Sequence, residues 1–505
     1  MNYNRRYQLV KNTFYSVLYQ GTTIICGFIL PRFILSAYGS EVNGLINSIT
    51  QFLGVITLLD MGIGAVVQSA LYKPIADNNF AQLSKIFVAA NKYYRAIAIV
   101  LAGYVCLLLL FYPRFINTSL SQAHTVALIL VIAINLFGQY YFGAVNSLVL
   151  SADQKVYLQY IIQLVTLILN TCVSIILIKM GCTIQLVKFV SSLIYFARPV
   201  FLNLYVKRNY SIDRKTKVES GVIEQKWNGI ARHFCHYVLT GTDSIVLTVF
   251  SSLSNVSIYS VYNLIVSGVK SLVSSTTSGL QSLMGDMIAR GEQEDLILFF
   301  SKIEWLIHSI CIIVFGCTSV LLVPFINVYT ADVHDANYCQ PLFGFLIAWA
   351  NALFCLRMPY DILIMSANHY KQTQNNYFVA MVANIAISIF TVKRWGLIGV
   401  SIGTLLAMIY QFFWMAWYDF RYILNRHLFP FLMQCLVDVS VAIIASLISV
   451  RVRMVHISYW GWVKHALIVF VIWTSISSAV NYLFCRDRIH DLICFVKKRL
   501  GLNLR

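Results

Sequence analysis

What most constrains this chain is a succession of apolar runs, each about 20 residues or longer, separated by short polar breaks. A helix of that length is what crossing the hydrocarbon of a bilayer requires. Fourteen runs are legible: 10–36, 42–70, 83–112, 122–150, 156–179, 182–206, 228–252, 255–289, 296–326, 338–367, 372–392, 396–420, 428–450 and 460–484. They predict an all-α polytopic membrane protein with about 14 transmembrane helices. Of the 505 residues 59% are hydrophobic and only 11% charged, more apolar sequence than any soluble core could absorb. Arg5, Arg6 and Lys11 precede the first run, which has no small-residue cleavage site and reads as a retained helix, not a signal peptide.

Lysine and arginine gather in alternate connections. With the N-terminus inside, the cytoplasmic segments and adjoining span ends hold 23 of the 38 basic residues. The external side holds six, namely Arg114, Lys179, Lys393, Arg394, Arg451 and Arg453. This bias predicts both termini and the polar loop 207–227 on the cytoplasmic side. It also accounts for the net charge of +18 without a nucleic-acid partner. The twelve cysteines are scattered, with no CxxC spacing and no histidine cluster beside them, so neither a metal site nor a disulfide framework is indicated. No P-loop, nucleophile elbow or paired-carboxylate constellation is present, which points away from an enzyme and implies no cofactor. Any driving force is then an ion gradient, the membrane potential or consumption of product.

The chain repeats itself. Tyr38-Gly39-Ser40-Glu41-Val42 opens the second run and Ser254-Asn255-Val256-Ser257 the eighth. Leu83-Ser84-Lys85-Ile86 begins the third and Phe300-Ser301-Lys302-Ile303 the ninth. This order predicts a six-helix lobe over 1–206, a cytoplasmic inter-lobe loop over 207–227 and a second six-helix lobe over 228–427. Two extra helices and a basic tail follow over 428–505. Two lobes of one orientation are an arrangement typical of transporters.

Nine cations fall inside the runs: Arg32, Lys92, Arg95, Lys188, Arg198, Arg232, Lys270, Arg357 and Lys464. A charge at that depth costs a few kcal/mol and normally faces a protein interior or a water-filled cavity. Lys270 stands about 22 Å into its run, beyond snorkelling range, and Arg95 is nearly as deep from the inner side. Lys188 and Arg232 lie near enough to run ends to be interfacial. Arg357 and Asp361, one turn apart, are expected to neutralise each other. Asp60 and Asp243 are the deep acids and the candidates to bind a coupling ion. For each the alternative is a structural ion pair. Ser267, Gly268, Ser271 and Ser274–Gly279 crowd the Lys270 helix, either as close packing or as a polar wall.

Tyr38-Gly39-Ser40-Glu41-Val42-Asn43-Gly44-Leu45, Leu59-Asp60-Met61-Gly62-Ile63-Gly64 and Leu71-Tyr72-Lys73-Pro74 resemble bacterial polysaccharide-biosynthesis flippases of the Wzx type. Thr242-Asp243 and Val256-Ser257-Ile258-Tyr259-Ser260-Val261-Tyr262-Asn263-Leu264 look like the same family in the second lobe. The resemblance covers about 30–290 and is carried by hydropathy beyond. It implies a MATE-like fold of the multidrug/oligosaccharidyl-lipid/polysaccharide exporter superfamily, with alternating access in the bacterial cytoplasmic membrane. The implied substrate is a sugar repeat unit on undecaprenyl pyrophosphate. H⁺ or Na⁺ is the candidate coupling ion, and polysaccharide polymerase or assembly proteins are candidate partners. A cation ladder of Arg32, Lys270, Arg95 and Arg198 then suits the pyrophosphate. Two rivals stand beside this reading: a cation-coupled multidrug exporter of the same superfamily, and a membrane polysaccharide polymerase or ligase.

Overall fold

The structure, a computed structural model, describes residues 3–60, 63–116, 118–216, 230–277, 279–454 and 456–484. The 217–227 portion of the expected inter-lobe loop, the basic tail beyond 484 and the side chain of Arg232 lie outside the described residues. Every described element is helical. In order they are α1 (Tyr3–Gly54), α2 (Ile63–Ala76), α3 (Phe80–Phe115), α4 (Gln122–Gly138), α5 (Ala144–Ala152) and α6 (Val156–Lys179). Next come α7 (Ile184–Asn209), α8 (Ile230–Gly241), α9 (Asp243–Phe250), α10 (Leu253–Ser275), α11 (Leu280–Arg290) and α12 (Gln293–Tyr329). The last are α13 (Pro341–Leu356), α14 (Met358–Ser366), α15 (Tyr370–Trp395), α16 (Leu397–Tyr422), α17 (Phe429–Ser449) and α18 (Tyr459–Phe484).

Twelve helical segments among the described residues are long and apolar enough to cross a membrane. The fourteen expected spans are recovered for two reasons. The segment Val10–Leu59 contains parts of two of them. The seventh is divided between α8 and α9, each too short to be counted alone. Between the first two runs, at Tyr38-Gly39-Ser40, two helices meet within the stretch Tyr3–Gly54, where Gly39 leaves helical geometry (φ 81°, ψ 176°). Glycine adopts that conformation without a Cβ clash, so the chain bends while its hydrogen-bond ladder continues on either side.

Breaking a helix in lipid is costly because the freed backbone groups find no water. Besides the seventh, four described spans break nonetheless, at corresponding places in the repeat. The second span has a 3₁₀ turn at Val55–Leu59 and the eighth breaks between α10 and α11. The fourth has a π turn at Gln139–Gly143 and the tenth breaks at Arg357. The sequence repeat is therefore also a repeat of helix interruptions.

By packing, the chain divides into two compact units, 1–258 and 259–505. In the first, α3 supplies the central stripe: Leu83, Phe87, Ala90, Tyr94, Ile97 and Leu101 recur at intervals of three and four and are all buried. Its other face, with Ile99 and Leu110, is exposed and suits lipid. The seventh span belongs to this unit. Thr248 Oγ1 of α9 donates to Ser48 Oγ of α1 at 2.9 Å, and Asn43 Nδ2 donates to Ser257 Oγ at 2.8 Å. In the second unit α12 packs against α13, α17 and α18. Trp473 of α18 is fully buried against Gly316 of α12, where a Cβ would stand 2.0 Å from the indole.

Candidate functional site

In the first unit the two interruptions of spans two and four face the same stretch of α3. Asp60 ends the 3₁₀ turn, and Tyr94 Oη donates to its Oδ1 at 2.6 Å. The neighbouring Tyr93 Oη donates to the Leu59 carbonyl at 2.8 Å. Tyr94 stacks on Tyr140 of the π turn, ring centroids 6.4 Å apart. Arg95 lays its guanidinium over the ring of Tyr141, 5.0 Å from the centroid. A π turn carries one residue more than an α-turn and re-aims what it bears, which is why such turns recur at functional sites. Two adjacent residues of α3 thus meet two adjacent residues of the π turn, and Asp60 and Arg95 come to one tyrosine-walled neighbourhood.

A second guanidinium joins it. Arg214, just after α7, donates from Nη1 to Asn203 Oδ1 at 2.9 Å and lies over Phe87, 5.4 Å from its centroid. Burial and the Arg95 charge both disfavour its protonated form and lower its pKa. Both arginines are exposed, and among the described residues neither is paired with an acid, so their donors are open to an anion. Arginine over an aromatic face also keeps its fork of N–H donors turned outward.

The other sequence candidates lie elsewhere. Arg198 on α7 is held by α6, with Nε donating to Thr166 Oγ1 at 2.6 Å and the guanidinium 4.2 Å from the Tyr195 centroid. Arg32 is half-buried beside Pro31, before the Gly39 kink. Asp243 is buried at the first position of α9. Lys270 belongs to the second unit, its Nζ 4.4 Å from the centroid of Phe354, which also takes Arg357 at 4.6 Å. Arg357 and Asp361 do not form the expected pair. Asp361 accepts from Tyr377, while Nε and Nη1 of Arg357 are buried without a partner. The α13–α14 break carries the guanidinium onto Phe354 instead. Among the described residues no group of His, Cys, Asp and Glu is arranged to hold a metal ion.

Tyr94, Tyr140, Tyr141 and Arg214 were not among the sequence candidates. The doublets Tyr93-Tyr94 and Tyr140-Tyr141, set in otherwise aliphatic spans, were the available signal. Arg214 read only as one charge of a basic loop.

These helices and their interruptions define a multi-pass membrane protein of MATE-like fold. No family model and no curated protein matches the chain. Solved structures do. Lipid II flippase MurJ in an inward closed conformation gives a TM-score of 0.66 at 12% identity, over 95% of this chain and 100% of that one. An inward-facing multidrug resistance MATE family transporter of the MOP superfamily gives 0.58 at 14% identity, over 78% and 93%. At such identities the likeness is one of fold.

Proposed function

We propose that the chain is a flippase, not an enzyme, that moves an oligosaccharide on undecaprenyl pyrophosphate across the bacterial cytoplasmic membrane by alternating access. The observation that carries this reading is the two arginines Arg95 and Arg214, without acidic partners among the described residues and laid over the rings of Tyr141 and Phe87. Pyrophosphate needs fixed positive charge to enter a low-dielectric route, and guanidinium forks match its oxygens. Tyrosine faces and hydroxyls suit sugar rings. The polyprenyl tail stays in lipid while only the head group crosses. Arg32 and Lys270 are kept as further candidate cations for the head group, with 1–206 and 228–427 as the proposed lobes. A cation-coupled multidrug exporter favours the opposite balance, an acid-dominated cavity.

The reading requires the Arg214 end to face the cytoplasm, as the basic bias also does. Cysteines placed at Lys215 and at Ser458 test this in intact cells. Ser458→Cys is expected to label with an impermeant reagent from outside, and Lys215→Cys only after the membrane is opened. External labelling at 215 overturns the orientation.

Asp60 and Asp243 are assigned the coupling ion, because carboxylates at that depth must be paired or protonated. Export by Asp60→Asn and Asp243→Asn is expected to lose its response to an imposed H⁺ or Na⁺ gradient in at least one variant. Wild-type dependence in both makes the acids structural.

A further inference from the structure

The second unit contains a line of buried ionisable groups to which the flippase reading gives no role. Glu304 and His308 stand one turn apart on α12, 1% and 0% exposed. Tyr360 of α14, also fully buried, donates to Glu304 Oε1 at 2.8 Å and lies 3.3 Å from His308 Nε2. His308 Nδ1 meets Asp438 Oδ2 of α17 at 2.5 Å, and Gln434 Nε2 donates to the other oxygen of Asp438 at 3.1 Å. At the opposite end Arg426 Nη2 donates to Glu304 Oε2 at 2.8 Å, and Nη1 donates to Ser301. Arg426 lines an open cleft of about 400 Å³ together with Asn425 and His427. The line is unbroken from that cleft to α17.

Its charges fix what it can hold. Glu304 and Arg426 cancel. Among the described residues Asp438 is held by Gln434 and His308, so its burial is offset when the imidazole carries a proton. The hydrogen bonds agree. Because Tyr360 donates to Glu304, it can only accept from His308 Nε2–H, while Nδ1–H serves Asp438. A histidine donating from both nitrogens is the protonated form. Other titratable and charged groups stand around the line: Asp419 on α16, Asp361 on α14 held by Tyr377 of α15, Arg357 at the α13–α14 break, and His465 on α18. Cys311 of α12, Cys355 of α13 and Cys435 of α17 complete the set. Asp419 is fully buried, both its carboxylate oxygens lack a partner, and it lies within electrostatic reach of Glu304. The surroundings are therefore rich in acid, which favours a bound proton further.

We infer that the chain binds a proton on His308, whose imidazolium is held by Asp438, and that Tyr360 and Glu304 pass it to and from the cleft lined by Arg426. On release His308 gives its Nε2 proton to the Tyr360 oxygen, Tyr360 gives its own phenolic proton to Glu304, and Glu304 gives that proton to water. Uptake reverses each transfer. Arg426, which does not surrender a proton, is a positioning residue that links the buried Glu304 carboxylate to the cleft it lines itself. The site lies where α17 meets α12, so it ties the protonation state to the docking of the C-terminal helix pair. It is independent of which head group is carried.

The test is proton counting on the purified full chain in lipid nanodiscs, unbuffered, with an indicator dye, after a rapid step from about pH 8.5 to about pH 5 that brackets histidine titration. His308→Gln and the isosteric Asp438→Asn are each expected to take up about one proton fewer per chain than wild type. Tyr360→Phe removes one oxygen, keeps both terminal groups, and is expected to take up the full number at least tenfold more slowly. Wild-type uptake in His308→Gln and Asp438→Asn overturns the binding site. Wild-type speed in Tyr360→Phe overturns the relay.

Discussion

Arg95→Ala and Arg214→Ala are each expected to cut polysaccharide export about tenfold or more at matched membrane expression, whereas Lys215→Ala leaves it within about twofold. A hydrogen bond to a charged group contributes about 1.5–3 kcal/mol, which sets the lower bound. The two arginines address one ligand, so the double variant is expected to fall short of the product of the singles. Arg95→Lys keeps the charge but loses the fork and the stacked plane over Tyr141, so it is expected to recover only part of the activity. Arg32→Ala and Lys270→Ala extend the series to the further candidate cations. Lys270→Arg is expected to be milder than Arg32→Lys, because lysine acts as a point charge and arginine as a fork. Complementation of an export-deficient strain reads all of these. Export by Arg95→Ala and Arg214→Ala equal to that of Lys215→Ala would falsify the anion site.

The second large effect is on stability. Trp473→Ala is expected to destabilise the second unit by about 3–5 kcal/mol, because the indole is fully buried and its removal leaves a cavity against Gly316. Lipid tails are as apolar as the helix interior, so what is lost is packing and not burial from water. Trp473→Phe is expected to cost well under half as much. It keeps most of the ring contact, and the indole Nε1–H has no partner to lose. Thermal unfolding in detergent, followed by monodispersity on gel filtration, ranks the three proteins. A Trp473→Ala protein as heat-stable as wild type removes this contact as the anchor of α18.

The architecture was legible because spanning a membrane forces long apolar runs, and long runs survive errors of a few residues. The bend at Gly39 is legible too, since glycine between Tyr38 and Ser40 signals a turn, and two helices meet there. Asp60 and Arg95 could be singled out because an intramembrane charge is costly wherever it points. What they touch could not, since Tyr94 and Tyr140 meet only after the 3₁₀ and π turns bring two spans together. Helix spacing also suggests the Arg357–Asp361 pair, but the Arg357 guanidinium lies over Phe354 and Asp361 accepts from Tyr377 of α15, a partner from another helix that spacing does not show. The His308–Asp438 contact joins residues 130 apart, and no local pattern announces it.

The divided seventh span bears on how the protein is made. At 8 residues, α9 is about 12 Å long, short of a bilayer's roughly 30 Å of hydrocarbon. Asp243 at the start of α9 further weakens its partition into lipid. A nascent segment of this kind leaves the insertion machinery poorly on its own account. It gains a place through Ser48 of α1, which was synthesised 200 residues earlier and already waits in the membrane. Biogenesis of the later helices is thereby made conditional on correct placement of the first, and an early error halts assembly at the point where the seventh span seeks its dock.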